Sequence, residues 1–163
     1  MKLLSTLKNQ EANNCFILTY NLDLAFFEYL LFAPLYINGC RNVVVICDPT
    51  QYKKALEDIS ILRFVGQRYI LVPAQTSLNG VFHPKLLFIT GEKGGSVTIT
   101  SGNLTRAGFT HNIEVGTHIQ YTSQNPDPYH WSVCNWAYET ISQIVTSTDS
   151  NRMVSARLDQ LFS

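Results

Sequence analysis

Five polar side chains fall in three short stretches of this 163-residue chain, in an order suited to phosphate chemistry. His83 and Lys85 lie in Phe82-His83-Pro84-Lys85, Ser101 and Asn103 in the stretch Thr100-Ser101-Gly102-Asn103-Leu104-Thr105, and Glu114 in Asn112-Ile113-Glu114. An imidazole can attack phosphorus or deliver a proton near neutral pH. A lysine ammonium is a point positive charge for phosphoryl oxygens. Asn and Ser add neutral donors that need no change of protonation. A carboxylate can hold an imidazole in one tautomer by accepting its other ring N–H. Charge that develops on phosphoryl oxygens is stabilised best by donors fixed beforehand.

The elements that must carry these residues can be read from periodicity. Cys15 to Thr19 reads as a strand, and Leu24 to Leu35 as a helix with Asp23 as its cap, apolar nearly all round and so buried on more than one side. Asn38-Gly39 ends that helix. Asn42 to Cys47, continuous and β-branched, fits a central strand covered on both faces. Asp48-Pro49 opens a second helix running to about Leu62, with Lys53 and Lys54 on a solvated face. Arg68 to Pro73 is a third strand. Val81 to Thr90, Ser96 to Ser101 and Asn112 to Tyr121 read as three further strands, separated by a turn at Gly91 to Gly95 and a polar loop at Leu104 to Thr110. After Asn125-Pro126-Asp127-Pro128, Tyr129 to Val145 has helical spacing. The order is βαβαβ, three strands and a helix: an α/β fold in one domain over residues 1–163, alone or within a longer natural protein. The polar stretch Asn9 to Asn14 is expected at its periphery.

Strand alternation then places His83 and Lys85 on one face with Pro84 opposite, and puts Ser101 and Asn103 on a common face if their strand stays extended. Glu114 is expected inside an apolar strand, where an unpaired charge is costly. Ser101 also fits a backbone-satisfying role at a strand end. Arg106, in the loop beyond Asn103, is a candidate contact for a substrate phosphate. Tyr20 and Asn21 follow the first strand, at the edge where open α/β sheets bind ligands, and are further substrate-binding candidates.

Composition narrows the classes. Twelve Lys and Arg balance twelve Asp and Glu, and 45% of residues are hydrophobic. That excludes a disordered chain and a basic arm for nucleic acid or anionic membrane. Cys15, Cys40, Cys47 and Cys134 form no C-x-x-C pair, so neither zinc nor a disulfide framework is expected. The N-terminal stretch lacks the apolar length of a signal peptide, and Leu22 to Ile37 is interrupted by Asp23, Glu28 and Pro34. The expectation is a soluble, cytoplasmic protein without a membrane contact, metal or cofactor.

The cluster resembles the signature of the phospholipase D superfamily, H-x-K-x4-D-x6-G-S-x-N with a Glu further on. His83-Pro84-Lys85 matches H-x-K, and Thr100-Ser101-Gly102-Asn103 matches G-S-x-N with Thr in place of the first Gly. Glu114 follows Asn103 by 11 residues. The stretch from Thr100 to Val115 is most similar to bacterial phospholipase-D-like nucleases, including metal-independent restriction endonucleases. Thr90 stands where the signature has Asp, and the spacing from Lys85 to Asn103 is longer than the signature's, by a length the Gly91-to-Gly95 turn can absorb.

The resemblance implies a mixed β-sheet flanked by helices and a metal-independent phosphodiesterase acting on nucleic acid, DNA in preference to RNA. His83, Lys85, Asn103, Glu114 and Ser101 are the implied catalytic set, working through a phosphohistidine. The family builds one site from two such motifs. His111, His118 and His130 are followed two residues later by Ile113, Gln120 and Ser132, so the chain carries one. A homodimer would supply the second. The neutral charge implies weak intrinsic DNA affinity, with targeting by a helicase or DNA-recognition domain or subunit; a restriction or phage-defence setting is what the resemblance alone implies. The alternatives are a lipid phosphodiesterase or phosphatidyltransferase, and a catalytically silent dimerisation module.

Overall fold

A computed structural model of the chain describes residues 12–57 and 62–148. Six strands form one sheet in the order β3-β2-β1-β4-β5-β6: β1 is Asn14–Thr19, β2 Asn42–Cys47, β3 Ile70–Pro73, β4 Leu86–Gly91, β5 Gly94–Thr100 and β6 Gly116–Thr122. β1, β2 and β3 are parallel, as their helical crossovers require. β4 pairs antiparallel with β1, and β5 and β6 follow as antiparallel neighbours. The fold is thus α/β with a mixed sheet, in the element order that periodicity predicts.

Helices cover both faces. The crossover helix α1 spans 24–37, with α-helical ends at Leu24–Phe26 and Ala33–Ile37 around a π-helical stretch, Phe27–Phe32. Asp23 Oδ1 accepts the Phe26 N–H at 2.9 Å and starts it. The widened turn lies just ahead of Pro34, which has no N–H to continue an α-helical ladder. Phe27, Leu31 and Leu35 pack on Cys15, Ile17, Val43 and Val45. On the other face, Cys134, Ala137, Ile141 and Val145 of α4 (Pro128–Ser147) pack on Phe16, Leu18, Phe88 and Val97. Asp127 caps α4 by accepting the Tyr129 and His130 N–H groups. All four cysteines are buried free thiols. No described helix is long and apolar enough to cross a membrane.

Several expected boundaries move. β4 begins at Leu86 and not at Val81, because Pro84 cannot donate to a ladder; residues 81–85 precede the strand as a loop. β5 takes in Gly94 and Gly95, leaving only Glu92-Lys93 between the Gly91↔Gly94 pair. Gly94 has φ +145°, and a Cβ there would lie 2.1 Å from the Tyr121 carbonyl oxygen. β6 begins at Gly116, so Glu114 lies in a loop between exposed Ile113 and Val115 and not inside an apolar strand. The polar loop contains a short helix, α3 (Arg106–Thr110), capped by Thr105. β3 begins at Ile70 and α2 is Pro49–Glu57, while residues 58–61 lie outside the described set. Asn14 is the first residue of central β1, and Ala12 is buried, so this end of the Asn9-to-Asn14 stretch is not peripheral.

α1 also departs from the all-apolar reading. Tyr29 and Leu30 are exposed, whereas Glu28 is buried at 3% exposure. Its carboxylate accepts the backbone N–H groups of Arg63 (2.9 Å), Phe64 (3.0 Å) and Val65 (3.2 Å) and the Tyr69 hydroxyl (3.1 Å). Burial and this carboxylate push the Tyr69 phenol well above its ordinary range. Glu28→Ala leaves those four donors without their acceptor. Urea denaturation is expected to register a loss of about 3 kcal/mol or more.

Candidate active site

One edge of the sheet gathers the candidate residues. Antiparallel pairing sets Leu18 of β1 opposite Leu86 of β4, so the chain leaving β1 at Tyr20-Asn21 runs beside the chain entering β4 at His83–Lys85. The β4–β5 hairpin sets Leu86 opposite Ile99, and the Thr100 N–H donates to the Lys85 carbonyl at 3.1 Å. Ser101 to Asn103 therefore emerge at the same edge. Parallel pairing of Thr19 with Cys47 brings the end of β2, and Asp48, there too.

His83 is exposed and Lys85 half-buried. The Lys85 Nζ lies 2.9 Å from His83 Nδ1 and 3.2 Å from Nε2, and donates to the His83 carbonyl at 3.2 Å. The two side chains meet as expected, though they do so in the loop before β4 and not by strand alternation. Burial lowers the Lys85 ammonium below the ordinary lysine value, and the Glu114 carboxylate pulls the other way.

Ser101 and Glu114 form a second unit. The Ser101 hydroxyl donates to Glu114 Oε2 and accepts the Val115 N–H at 3.1 Å, while Asn112 Nδ2 donates to Glu114 Oε1 at 3.1 Å. These hydrogen bonds from Ser101 and Asn112, with the nearby Lys85 charge, hold the Glu114 carboxyl below its ordinary range. None of the hydrogen bonds formed by Glu114 among the described residues reaches His83. Ser101 acts here as the holder of Glu114.

Asn103 is fixed through β1. Its Oδ1 accepts the Asn21 N–H at 3.3 Å, which leaves the amide nitrogen as its donor. The buried Thr19 hydroxyl donates to the Asn21 carbonyl at 2.8 Å and accepts the Leu104 N–H at 3.1 Å, and Leu104 N–H also reaches the Asn21 carbonyl. α3 presses on the same segment: a Cβ on Gly108 would lie 2.5 Å from the Asn103 carbonyl oxygen, so this close approach requires glycine. Arg106 is the exposed first residue of α3.

Tyr20 meets His83 directly, with ring centroids 4.8 Å apart and tilted by 41°. Its hydroxyl accepts from Gln51 Nε2 at 3.4 Å. Asp48, which sequence reasoning treated only as a helix start, is buried and anchors the other side: Oδ2 accepts the Phe82 N–H at 3.0 Å, and Oδ1 accepts the Thr50 N–H at 2.9 Å and hydroxyl at 2.5 Å. Burial raises the Asp48 pKa, but these hydrogen bonds outweigh it and hold the carboxyl below the usual range. The β2–α2 corner thus ties down the residue before His83 and braces the ring beside it. The one sequence signal for this role was an Asp closing an apolar strand at the ligand-facing edge of the sheet. Among the described residues, no group of three or more His, Cys, Asp or Glu could hold a metal ion.

No family model matches the sequence, and no curated protein matches it. Solved structures share its fold. Nuc from Salmonella typhimurium, a phospholipase D family member, superposes with a TM-score of 0.65 at 14% identity, over 91% of this chain and 88% of that one. NucT from Helicobacter pylori gives a TM-score of 0.58 at 17% identity, over 90% of this chain and 86% of the other. The chain has the phospholipase-D-like α/β fold.

Two outcomes test the site geometry. Asp48→Ala frees the Phe82 N–H, and is expected to lower stability by about 1–3 kcal/mol in thermal melts; Asp48→Asn, which keeps an acceptor, should fall between it and the unaltered protein. For Glu114, a lowered folded pKa means its contribution to stability is present above the unfolded carboxylate value and lost as pH falls through the folded one. The Tm difference between the unaltered protein and Glu114→Gln should therefore be present at neutral pH and close on acidification through that window.

Proposed function

We propose that this chain is a nuclease: a metal-independent phosphodiesterase whose site is completed by a second copy of itself. The observation that carries the reading is the His83–Lys85 pair, with Nζ 2.9 Å from the ring, at the same sheet edge as an Asn103 held by its oxygen. A nucleophile, a cation and a neutral donor at one sheet edge suit a phosphodiester.

His83 attacks phosphorus while the bond to the leaving oxygen breaks, giving a phosphohistidine. The second copy's His83 protonates that oxygen and then takes a proton from water. The water oxygen bonds to phosphorus, the P–N bond breaks, and both imidazoles return to their starting states. Lys85 and Asn103 from each copy hold the non-bridging oxygens. Exposed apolar side chains at Val81 (64%), Ile113 (99%) and Val115 (73%) lie next in sequence to this cluster and favour a covered surface there. DNA is the favoured substrate over RNA. The even charge balance leaves little for tight intrinsic binding, which favours targeting by a helicase or DNA-recognition domain or subunit; the signature's resemblance to restriction-endonuclease relatives is what suggests restriction or phage defence.

The test offers labelled single-stranded DNA, duplex DNA and phosphatidylcholine to the protein in EDTA. DNA cleavage is expected, with a bell-shaped pH–rate profile from two imidazoles in opposite protonation states. His83→Ala should lower turnover by about 10²–10⁴-fold or more. Cleavage of lipid alone would replace the nuclease with a lipid phosphodiesterase. A His83→Ala protein with undiminished DNA cleavage, or an active monomer by sedimentation, would overturn the proposal.

A further inference from the structure

Beside the His83 cluster, a polar-rimmed cleft of about 480 Å³ opens between the start of α1 and the exposed side of α2. Two of its lining residues touch the cluster. Asn21 gives its N–H to Asn103, and Gln51 donates to the Tyr20 hydroxyl, whose ring lies against His83. The cleft therefore adjoins the cluster through Asn21 and Gln51. Its volume lies within the ~300–1,000 Å³ of small-ligand sites. Half-buried Ala55 and Leu62 supply an apolar wall. Its charged lining residues are Lys54 and Asp23. Asp23 Oδ1 is engaged by the Phe26 N–H, and its negative charge disfavours a phosphate on that side.

We infer that this cleft is a nucleotide subsite, holding the nucleoside next to the cleaved bond with Lys54 on the adjoining phosphate. The inference rests on the nuclease reading above and adds where the polymer continues from the reacting centre. One apolar wall for a sugar and base, amide groups at Asn21 and Gln51 for polar edges, and a single cation fit one nucleotide of one strand. Lys53, the neighbouring cation on α2, does not line the cleft and provides an internal control for charge alone.

The experiment measures binding of a fluorescein-labelled single-stranded octathymidylate to the 163-residue His83→Ala protein carrying Lys54→Glu or Lys53→Glu. Alongside it, kcat/KM is measured on oligonucleotide and on bis(p-nitrophenyl) phosphate with His83 intact. Lys54→Glu is expected to weaken binding about tenfold and to reduce the slope of log K against log salt by about 0.7, the share of one single-strand phosphate contact. The ratio of oligonucleotide to small-diester kcat/KM should fall by a similar factor through KM, while Lys53→Glu moves both readouts much less. Equal effects of the two substitutions would overturn the subsite, because a diffuse field would then account for them. So would a Lys54→Glu protein that binds and cleaves oligonucleotide like its parent. Failure to hydrolyse either substrate together with no oligonucleotide binding would instead remove the nuclease reading on which the subsite stands.

Discussion

The antiparallel pairing of β4 with β1 is the constraint on which the rest depends. β1 lies at the centre of the sheet, parallel to β2 on one side and antiparallel to β4 on the other. Had β4 joined in parallel, its first residues would lie at the far end of the sheet from Tyr20 and Asn21. The reversal brings strand exits from β1, β2 and β5 to the same edge as the entry to β4. Every candidate residue hangs from that edge. The pairing is secured from both faces, because Ile17 opposes Leu87 under α1 while Phe16 opposes Phe88 under α4.

Buried polar groups then convert a shared edge into a defined geometry. Thr19 and Asp48 each terminate a strand, and each is nearly inaccessible to water. Their side chains accept backbone N–H groups from the distant segments that carry Asn103 and His83. A buried acceptor left unpaired is costly, so these contacts fix where the loops can lie. The side chains available for chemistry stay accessible, and the restraint sits one residue away in the chain. Phe82 is held for His83, and Leu104 for Asn103.

The electrostatics of the cluster follow the same division. Glu114 is satisfied by Ser101 and Asn112, so it neighbours Lys85 without neutralising it by direct contact. Lys85 is desolvated enough to lower its pKa and lies beside His83. With net charge zero over the chain, any strong positive potential has to come from such local placement.

Periodicity made most of the fold legible. The apolar runs at β1 and β2, the helical spacing of α4 and the crossover order need only local pattern to be read. The identities of His83, Lys85, Ser101, Asn103 and Glu114 were equally visible, since chemistry-bearing residue types at family-like spacing are a property of the chain. Two strand limits near the site differ from the periodicity: Pro84 cannot donate to a ladder, so residues 81–85 stay out of β4, and β6 begins only at Gly116. The partners of the site residues were not legible. Asp48 reaches Phe82, Thr19 reaches Leu104 and Tyr20 reaches His83 across gaps of 34, 85 and 63 positions. Residue types and apolar spacing along the chain carry the identities of the groups suited to phosphate chemistry and the order of the elements beneath them. That Ser101 holds Glu114 and that the β2–α2 corner braces the His83 segment emerges with the folded sheet, because such hydrogen bonds exist only between segments that the sheet has already brought together.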